Sequence, residues 1–420
     1  MAEKILPFGK EKIIDIIKKY PTPFHIYDEK AIRQNARNFL KAFGNLEGFR
    51  QFFAVKATPN PYILKMLRQE GFGVDCSSYA ELEMAERVGF RGEEIMFSSN
   101  DTPAEDFVKA QELEAIINLD DISHISFLER HVGIPSLVCL RYNPGPARTG
   151  NEIIGKPQEA KYGLTREQML EAYKILKNKG AKRFGMHTML ISNELHEEYF
   201  VETARMMFEL AVEVHRKTGI KIEFVNLGGG IGIPYKPEDK PVSYDAIAHG
   251  VKRAYDEIIV KSGLHPVKIF TECGRVITGP YGYLVTTVRH VKHIYRDHVG
   301  TDASMANLMR PGMYGSYHQI TVAGKENDPN DHVYDVTGSL CENNDKFAIN
   351  RKLPEVKIGD ILVIHDTGAH GFAMGFNYNG KLRSSELLLR NDGSVIQIRR
   401  AETIEDYFST LDFKKLQSFN

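Results

Sequence analysis

The sequence predicts an α/β fold, a (β/α)₈ barrel of the TIM type, followed by an all-β domain of sandwich or barrel-like form. Three observations predict it. Eight short apolar stretches between Phe52 and Thr271 alternate with helical patterns. Those stretches run into polar or ionisable residues at their C-terminal ends. After residue 276 the helical patterns stop, and strand-like stretches continue between Gly and Pro turns.

The elements follow in order. A short amphipathic helix is expected from Glu11 to Lys18, and a strand at Phe24-His25-Ile26-Tyr27 after two prolines. The barrel strands are expected to end at Lys56, Asp75, Ser98 and Asn118, then to run Leu137 to Arg141, Arg183 to His187, Ile222 to Leu227 and Val267 to Thr271. Tyr79 to Val88, Pro103 to Gln111 and Glu197 to Arg216 carry apolar residues at helical spacing between them. Eight strands favour a closed barrel over a doubly wound open sheet, and the roughly 240 residues they span match the usual barrel size. Tyr283 to Ile294, Tyr317 to Val322, Val333 to Thr337, Ile361 to His365, Ser384 to Leu389 and Val395 to Ile398 read as strands of the second domain. The expected division is a barrel over 36–276 and a β-domain made of 1–35 plus 277–420, with the N-terminal strand joining the β-domain sheet.

Composition sets the class. With 42% apolar residues, 26% charged residues and a formal net charge of −1, the chain is an ordinary globular protein. It lacks the basic excess expected of a nucleic-acid or anionic-membrane binder. Met1 to Pro7 contains no apolar core of signal-peptide length, so a cytoplasmic protein is expected. Cys76, Cys139, Cys273 and Cys341 are widely spaced without a CxxC pair and read as free thiols, and no metal site is expected. His290, His293 and His298 do not share one strand face and are expected at the surface.

Three features suggest chemistry. Lys56 follows Gln51-Phe52-Phe53-Ala54-Val55. A lysine closing a buried strand loses hydration, which favours the neutral amine that Schiff-base chemistry needs, although a snorkelling surface lysine is the commoner case. Gly228-Gly229-Gly230 follows the seventh strand, where barrels often bind phosphate on backbone amides. Glu272, after the eighth strand, places a carboxylate at the barrel mouth, where it could hold a heterocyclic nitrogen protonated or pair with Arg275. An amine, a phosphate cradle and a carboxylate are what pyridoxal phosphate requires.

At this point the sequence resembles the fold-type III pyridoxal phosphate decarboxylases, and within them the branch acting on diaminopimelate, from about Pro23 to about Leu389. The resemblance rests on Phe53-Ala54-Val55-Lys56-Ala57, Gly228 to Gly232, Glu272-Cys273-Gly274-Arg275, Arg310-Pro311-Gly312-Met313-Tyr314-Gly315, Gly338-Ser339-Leu340-Cys341-Glu342 with Asp345, and Asn377-Tyr378-Asn379. It implies pyridoxal 5'-phosphate joined to Lys56 and contacted by Asp75, His187, Ser192, Gly228, Gly229, Gly230, Glu272, Gly274, Arg275, His370 and Tyr378. It implies a small amino-acid substrate held by Arg275, Arg310, Tyr314, Glu342 and Tyr378. Lys56 and Cys341 are the implied catalytic residues, with Cys341 and Glu342 entering the neighbouring subunit's site in a homodimer. Two positions depart from the family pattern. Met189 stands where a histidine usually stacks on the pyridine ring, and His370 stands where a tyrosine usually meets the phosphate.

The expected reaction is decarboxylation of meso-2,6-diaminopimelate to L-lysine. A decarboxylase of ornithine, lysine or another basic amino acid is the alternative, and Cys76 is more like the ornithine branch. A racemase fits less well, because it needs a second base on the opposite face and Cys341 resembles the decarboxylase solution. A non-catalytic pyridoxal phosphate carrier or silent regulator fits less well, because a β-domain follows and Lys56 and Cys341 are both present.

Overall fold

The computed structural model describes residues 4–150, 153, 155–416 and 418–419. Its contacts divide the chain into two compact units: Met1–Ala31 with Tyr235–Pro237 and Thr278–Asn420, and Ile32–Pro234 with Glu238–Ile277.

The second of these is a closed barrel of eight parallel strands. After β1 (Phe24–Asp28), which belongs to the other unit, the barrel strands are β2 (Arg50–Ala54), β3 (Gly73–Cys76), β4 (Ile95–Ser98), β5 (Ile116–Leu119), β6 (Leu137–Tyr142), β7 (Arg183–Thr188), β8 (Phe224–Asn226) and β9 (Lys268–Thr271). They match the eight expected strands to within a few residues. The helix Tyr79–Val88 shows how local sequence sets the boundaries: Ser78 Oγ accepts from the Glu81 amide, and Gly89 ends the helix at φ 104°.

Side chains in a strand alternate between faces, so every second residue enters the barrel. Phe52, Met96, Ile116, Cys139, Phe224 and Phe270 form one buried cluster across six strands. Phe224 and Phe270 stack at 4.4 Å between centroids, with Phe52 5.3 Å from Phe270. Gly185 makes room for this stack, since a Cβ there would lie 2.0 Å from the Phe224 ring. Two residues further along the same strands stand Ala54, Ser98, Asn118, Arg141, Asn226 and Glu272, with Asp75 and His187 on β3 and β7. An apolar layer thus floors a polar one.

The other unit is a nine-stranded sheet. β10 (Gly282–His293) pairs antiparallel with β1, and β1 pairs in parallel with β16 (Ser385–Leu389). The remaining strands are β11 (Asp297–Thr301), β12 (Ile320–Val322), β13 (His332–Thr337), β14 (Lys346–Leu353), β15 (Ile361–Ile364) and β17 (Val395–Arg399). The N-terminal strand therefore does join this sheet. Sequence reasoning missed β11 and β14. Asp297 and Gly300 in β11, and the exposed Ile349 and Asn350 of β14, break the apolar alternation that marks a strand. Both are held by ladder pairing, β11 between β10 and β13 and β14 along β13. His290 and His293 are exposed and His298 is half-buried.

Within this unit Lys4 bonds the buried carboxylate of Asp366, two residues before the turn 368–370 that carries His370. Burial pushes the Asp366 carboxyl up to about 6, against the pull of the Lys4 ammonium. A carboxyl that binds its proton more tightly when folded stabilises the fold fully below the unfolded value. That stabilisation is lost as pH rises through the folded value. From about pH 4 to above pH 6 the loss is about 3 kcal/mol. Urea unfolding of wild type and Asp366→Asn at pH 4 and pH 7 is expected to show the wild type losing about this much relative to the variant. An unchanged gap would mean that Asp366 titrates alike in both states.

Candidate functional site

The polar layer of the barrel gathers the ionisable groups. Glu272, buried just beyond β9, is gripped on both oxygens: His187 Nε2–H donates to Oε2 at 2.8 Å and Asn226 Nδ2 donates to Oε1 at 2.7 Å. Burial works against its charge, but His187, Lys56 and Asn226 together hold its carboxyl below the usual range. Asp75, also buried, goes the other way. Desolvation and the Glu272 charge push its carboxyl well up, opposed by Lys56. Two carboxylates in one cup are thereby separated, one kept anionic and one inclined to hold a proton. Asp75 Oδ1, His187 Nδ1 and Asn118 Oδ1 are buried without a hydrogen-bond partner. Such groups are costly to leave unmade and mark where a polar ligand fits.

Lys56 corrects one expectation. β2 ends at Ala54, and Lys56 lies in the single 3₁₀ turn Val55–Ala57. That turn releases the side chain, so Lys56 is exposed while Val55 and Ala57 are buried. The burial argument for a neutral amine therefore does not apply to this state of the chain, although the position at the cup is as expected. Asn60 closes the turn by accepting from the Tyr62 amide at 3.1 Å, which starts the next helix.

The glycine loop is built by close backbone approach. A Cβ on Gly228 would lie 2.2 Å from Thr188 O, on Gly229 2.5 Å from Glu272 O, and on Gly230 2.5 Å from Ile191 O. Gly228 and Gly230 also have φ of 70° and 97°. Not every amide is offered to an anion, since Gly228 N–H donates to Asn226 Oδ1 at 2.9 Å. Gly229 N–H faces Met189 Sδ at 3.2 Å, a weak acceptor that a phosphate oxygen would outcompete. Beside this loop Arg275 donates to Ser192 Oγ at 3.1 Å. Glu272 is thus bound by His187 and Asn226, in place of the alternative pairing with Arg275. Gly274 lets this turn lie against the Lys56 turn, because a Cβ there would lie 2.6 Å from Ala57 Cβ. The residues present fit a ligand carrying a phosphate, a carbonyl for an amine and a ring nitrogen.

Two members of the site were not singled out from sequence. Asn226 could have been found by parity, two residues after Phe224. Glu81 sits in the first turn of its helix, where its Oε2 accepts from Ser77 N at 2.7 Å and Ser77 Oγ at 2.9 Å. Desolvation raises its carboxyl, opposed by the Ser77 bonds and Lys56.

The β-domain brings together a second set. Cys341 Sγ lies 3.2 Å from Tyr378 Oη, and the Cys341 amide donates to Asn379 Oδ1 at 2.9 Å. The Tyr378 and Asn379 bonds hold the thiol below its usual range. Cys341, Glu342 and Tyr378 are all exposed. Arg310 is buried at the start of the short helix Arg310–Tyr314, donates to Ser316 Oγ at 3.2 Å, and has its guanidinium 5.6 Å from the ring centroids of Tyr235 and Tyr314. His370 is half-buried at φ 56°. Cys76, Cys139 and Cys273 are buried free thiols. No helix among the described residues is long and apolar enough to cross a membrane.

Residues 29–279 match the family model described as pyridoxal-dependent decarboxylase, pyridoxal binding domain. Protein TabA of Pseudomonas amygdali pv. tabaci is 44% identical over all of this chain and 97% of its own length. The diaminopimelate decarboxylase of Methanothermobacter thermautotrophicus is 34% identical, covering 96% of this chain and 94% of its own. The crystal structure of diaminopimelate decarboxylase from Methanocaldococcus jannaschii in complex with L-lysine superposes with a TM-score of 0.88 at 29% identity, covering 95% of this chain and 94% of that one.

Proposed function

Because the chain belongs to the pyridoxal-dependent decarboxylase family, we propose that it decarboxylates meso-2,6-diaminopimelate to L-lysine and CO₂, the last step of lysine biosynthesis. The observation that carries this reading is Glu272, held anionic by His187 and Asn226 in the same cup as Lys56. The cofactor is pyridoxal 5'-phosphate, which when bound supplies a ring that takes up the electron pair left as CO₂ departs.

Each residue has a part in that reading. Lys56 Nζ holds the cofactor covalently. Glu272 keeps the ring nitrogen protonated, and His187 and Asn226 fix its orientation. Gly229, Gly230, Ser192 and Arg275 serve the phosphate, with Gly228 shaping the loop and Gly274 allowing the close approach. Met189 offers a polarisable thioether to the ring face. Asp75, His370 and Tyr378 complete the cofactor set. Arg275, Arg310, Tyr314 and Tyr378 take the substrate's distal carboxylate, and Glu342 its distal ammonium. Cys341, whose thiol is already tuned by Tyr378 and Asn379, returns a proton to the α-carbon. Its exposure on the β-domain, with that of Glu342 and of the Tyr378 that touches it, supports a homodimer in which each subunit lends these three residues to its partner's barrel. The four free thiols fit a reducing compartment, and the enzyme is assigned to the cytoplasm.

The test is a substrate panel with the purified chain and pyridoxal phosphate. CO₂ release from meso-diaminopimelate is expected to exceed that from L-lysine and L-ornithine by roughly 30-fold or more in kcat/KM, the worth of one buried charge-assisted contact. A preference for either diamine would transfer the assignment to the basic amino-acid decarboxylases.

A further inference from the structure

The stretch after β17 exposes more apolar surface than a lone subunit explains. Ile404, Tyr407 and Phe408 lie on the short helix Ile404–Phe408 and Leu411 follows it, and Ile404 and Leu411 are 59% and 54% exposed. Phe413, Leu416 and Phe419 continue the run, with Phe419 85% exposed. The rings touch one another: Phe408 lies 5.7 Å from Tyr407 and 5.3 Å from Phe413. The stretch is not a loose thread. Thr403 caps the helix Ile404–Phe408 in a capping box with Asp406, and Arg400 pairs with Asp406.

Its root ties it to the exposed thiol. Glu402 N–H donates to Arg383 O at 3.0 Å, and Glu402 Oε2 accepts from Asn377 Nδ2 at 2.7 Å and Arg383 N at 2.9 Å. The same loop carries Tyr378 and Asn379, the partners of Cys341. One hydrogen-bonded corner of the β-domain thus presents both the Cys341 segment and the base of the apolar stretch.

We propose that residues 404–416, with Phe419, form a docking arm that seats on a second copy of this chain and holds the Cys341 segment in register for its partner. The proposal rests on the shared-site reading given above. Seven large apolar side chains of about 150–250 Å² each, roughly half exposed, offer on the order of 700 Å². One side of a standard protein interface buries about 800 Å², so the arm is large enough to decide assembly. Its charged residues mix Glu405, Asp406 and Asp412 with Lys414 and Lys415. That mixture lacks the basic excess by which an amphipathic segment binds anionic lipid, and it suits a protein partner.

The test uses the holoenzyme. Sedimentation of wild type is expected to show two subunits. Ile404→Glu combined with Phe408→Glu and Leu411→Glu is expected to raise the dimer dissociation constant at least 100-fold with an unchanged circular dichroism spectrum. Glu405→Lys is expected to leave assembly unaltered. Mixed Lys56→Ala and Cys341→Ala subunits are expected to recover activity with the natural arm and not with the triple-substituted arm. Amide exchange in 404–416 of the unaltered protein, expected to slow as concentration is raised through dimerisation, keeps the test independent of any variant's folding. Exchange that stays fast at every concentration, or a triple variant that remains dimeric and still complements, overturns the arm while leaving shared sites standing. A wild type that is active as a monomer overturns the shared-site reading itself. Cosedimentation of the arm with phosphatidylserine vesicles in place of dimerisation overturns the choice of occupant.

Discussion

Lys56→Ala is expected to lose decarboxylation by on the order of 10⁴-fold or more, the scale on which enzymes lose rate when a covalent nucleophile is removed. The visible absorbance of the pyridoxal-bound protein should vanish with it. The fold should not suffer. Lys56 is exposed, its turn is closed by the backbone bond from Thr58 N to Val55 O at 3.1 Å, and the buried Val55 and Ala57 are untouched. Alanine is compatible with a short helical turn. The decisive measurement is borohydride reduction followed by mapping of the labelled peptide, beside thermal unfolding of the variant. Label on a different lysine, or a variant that still turns over substrate, would remove Lys56 from the centre of the mechanism.

Arg310→Ala should cost roughly 30-fold or more in kcat/KM for meso-diaminopimelate. Losing one partner of a buried, charge-assisted pair is worth on the order of 2–5 kcal/mol, at ~1.4 kcal/mol per tenfold. Arg310 is only 3% exposed, and its guanidinium lies 5.6 Å from the ring centroids of both Tyr235 and Tyr314. Such a guanidinium is pre-oriented, and its planar fork meets a carboxylate on two bonds, as an ammonium does not. Turnover of L-lysine or L-ornithine, which have no distal carboxylate, should change far less. Arg310→Lys keeps the charge and most of the volume, and should recover only part of the loss. Equal losses on every substrate, or a large fall in unfolding temperature with both variants, would make Arg310 a support for the β-domain and no more.

The sequence was legible where one physical rule dominates. Strands buried on both faces read as unbroken apolar runs, so the eight barrel strands could be located, and their polar ends pointed to Asp75, His187 and Glu272. Lys56 was found for a reason that did not hold. Its burial was inferred from a continuous strand, whereas one turn of 3₁₀ helix frees the side chain. Asn226 was passed over because an asparagine in a strand looks like a break in the pattern. It is instead the residue that steadies both Glu272 and the glycine loop. β11 and β14 were invisible because pairing, not apolar alternation, holds them. Tertiary contact also decides the glycine loop: three glycines in a row show that the backbone is crowded, but not which amide is already taken.

The Phe52, Phe224 and Phe270 stack has a consequence for the order of events. With the barrel floor sealed by stacked rings, whatever binds among Asp75, His187 and Glu272 arrives and departs through the strand-end opening. Cofactor and substrate must therefore queue: the first to enter is the last to leave. A saturating, slowly dissociating substrate analogue should accordingly slow the escape of pyridoxal phosphate, so retention of cofactor on dilution becomes a clock for occupancy of the outer position.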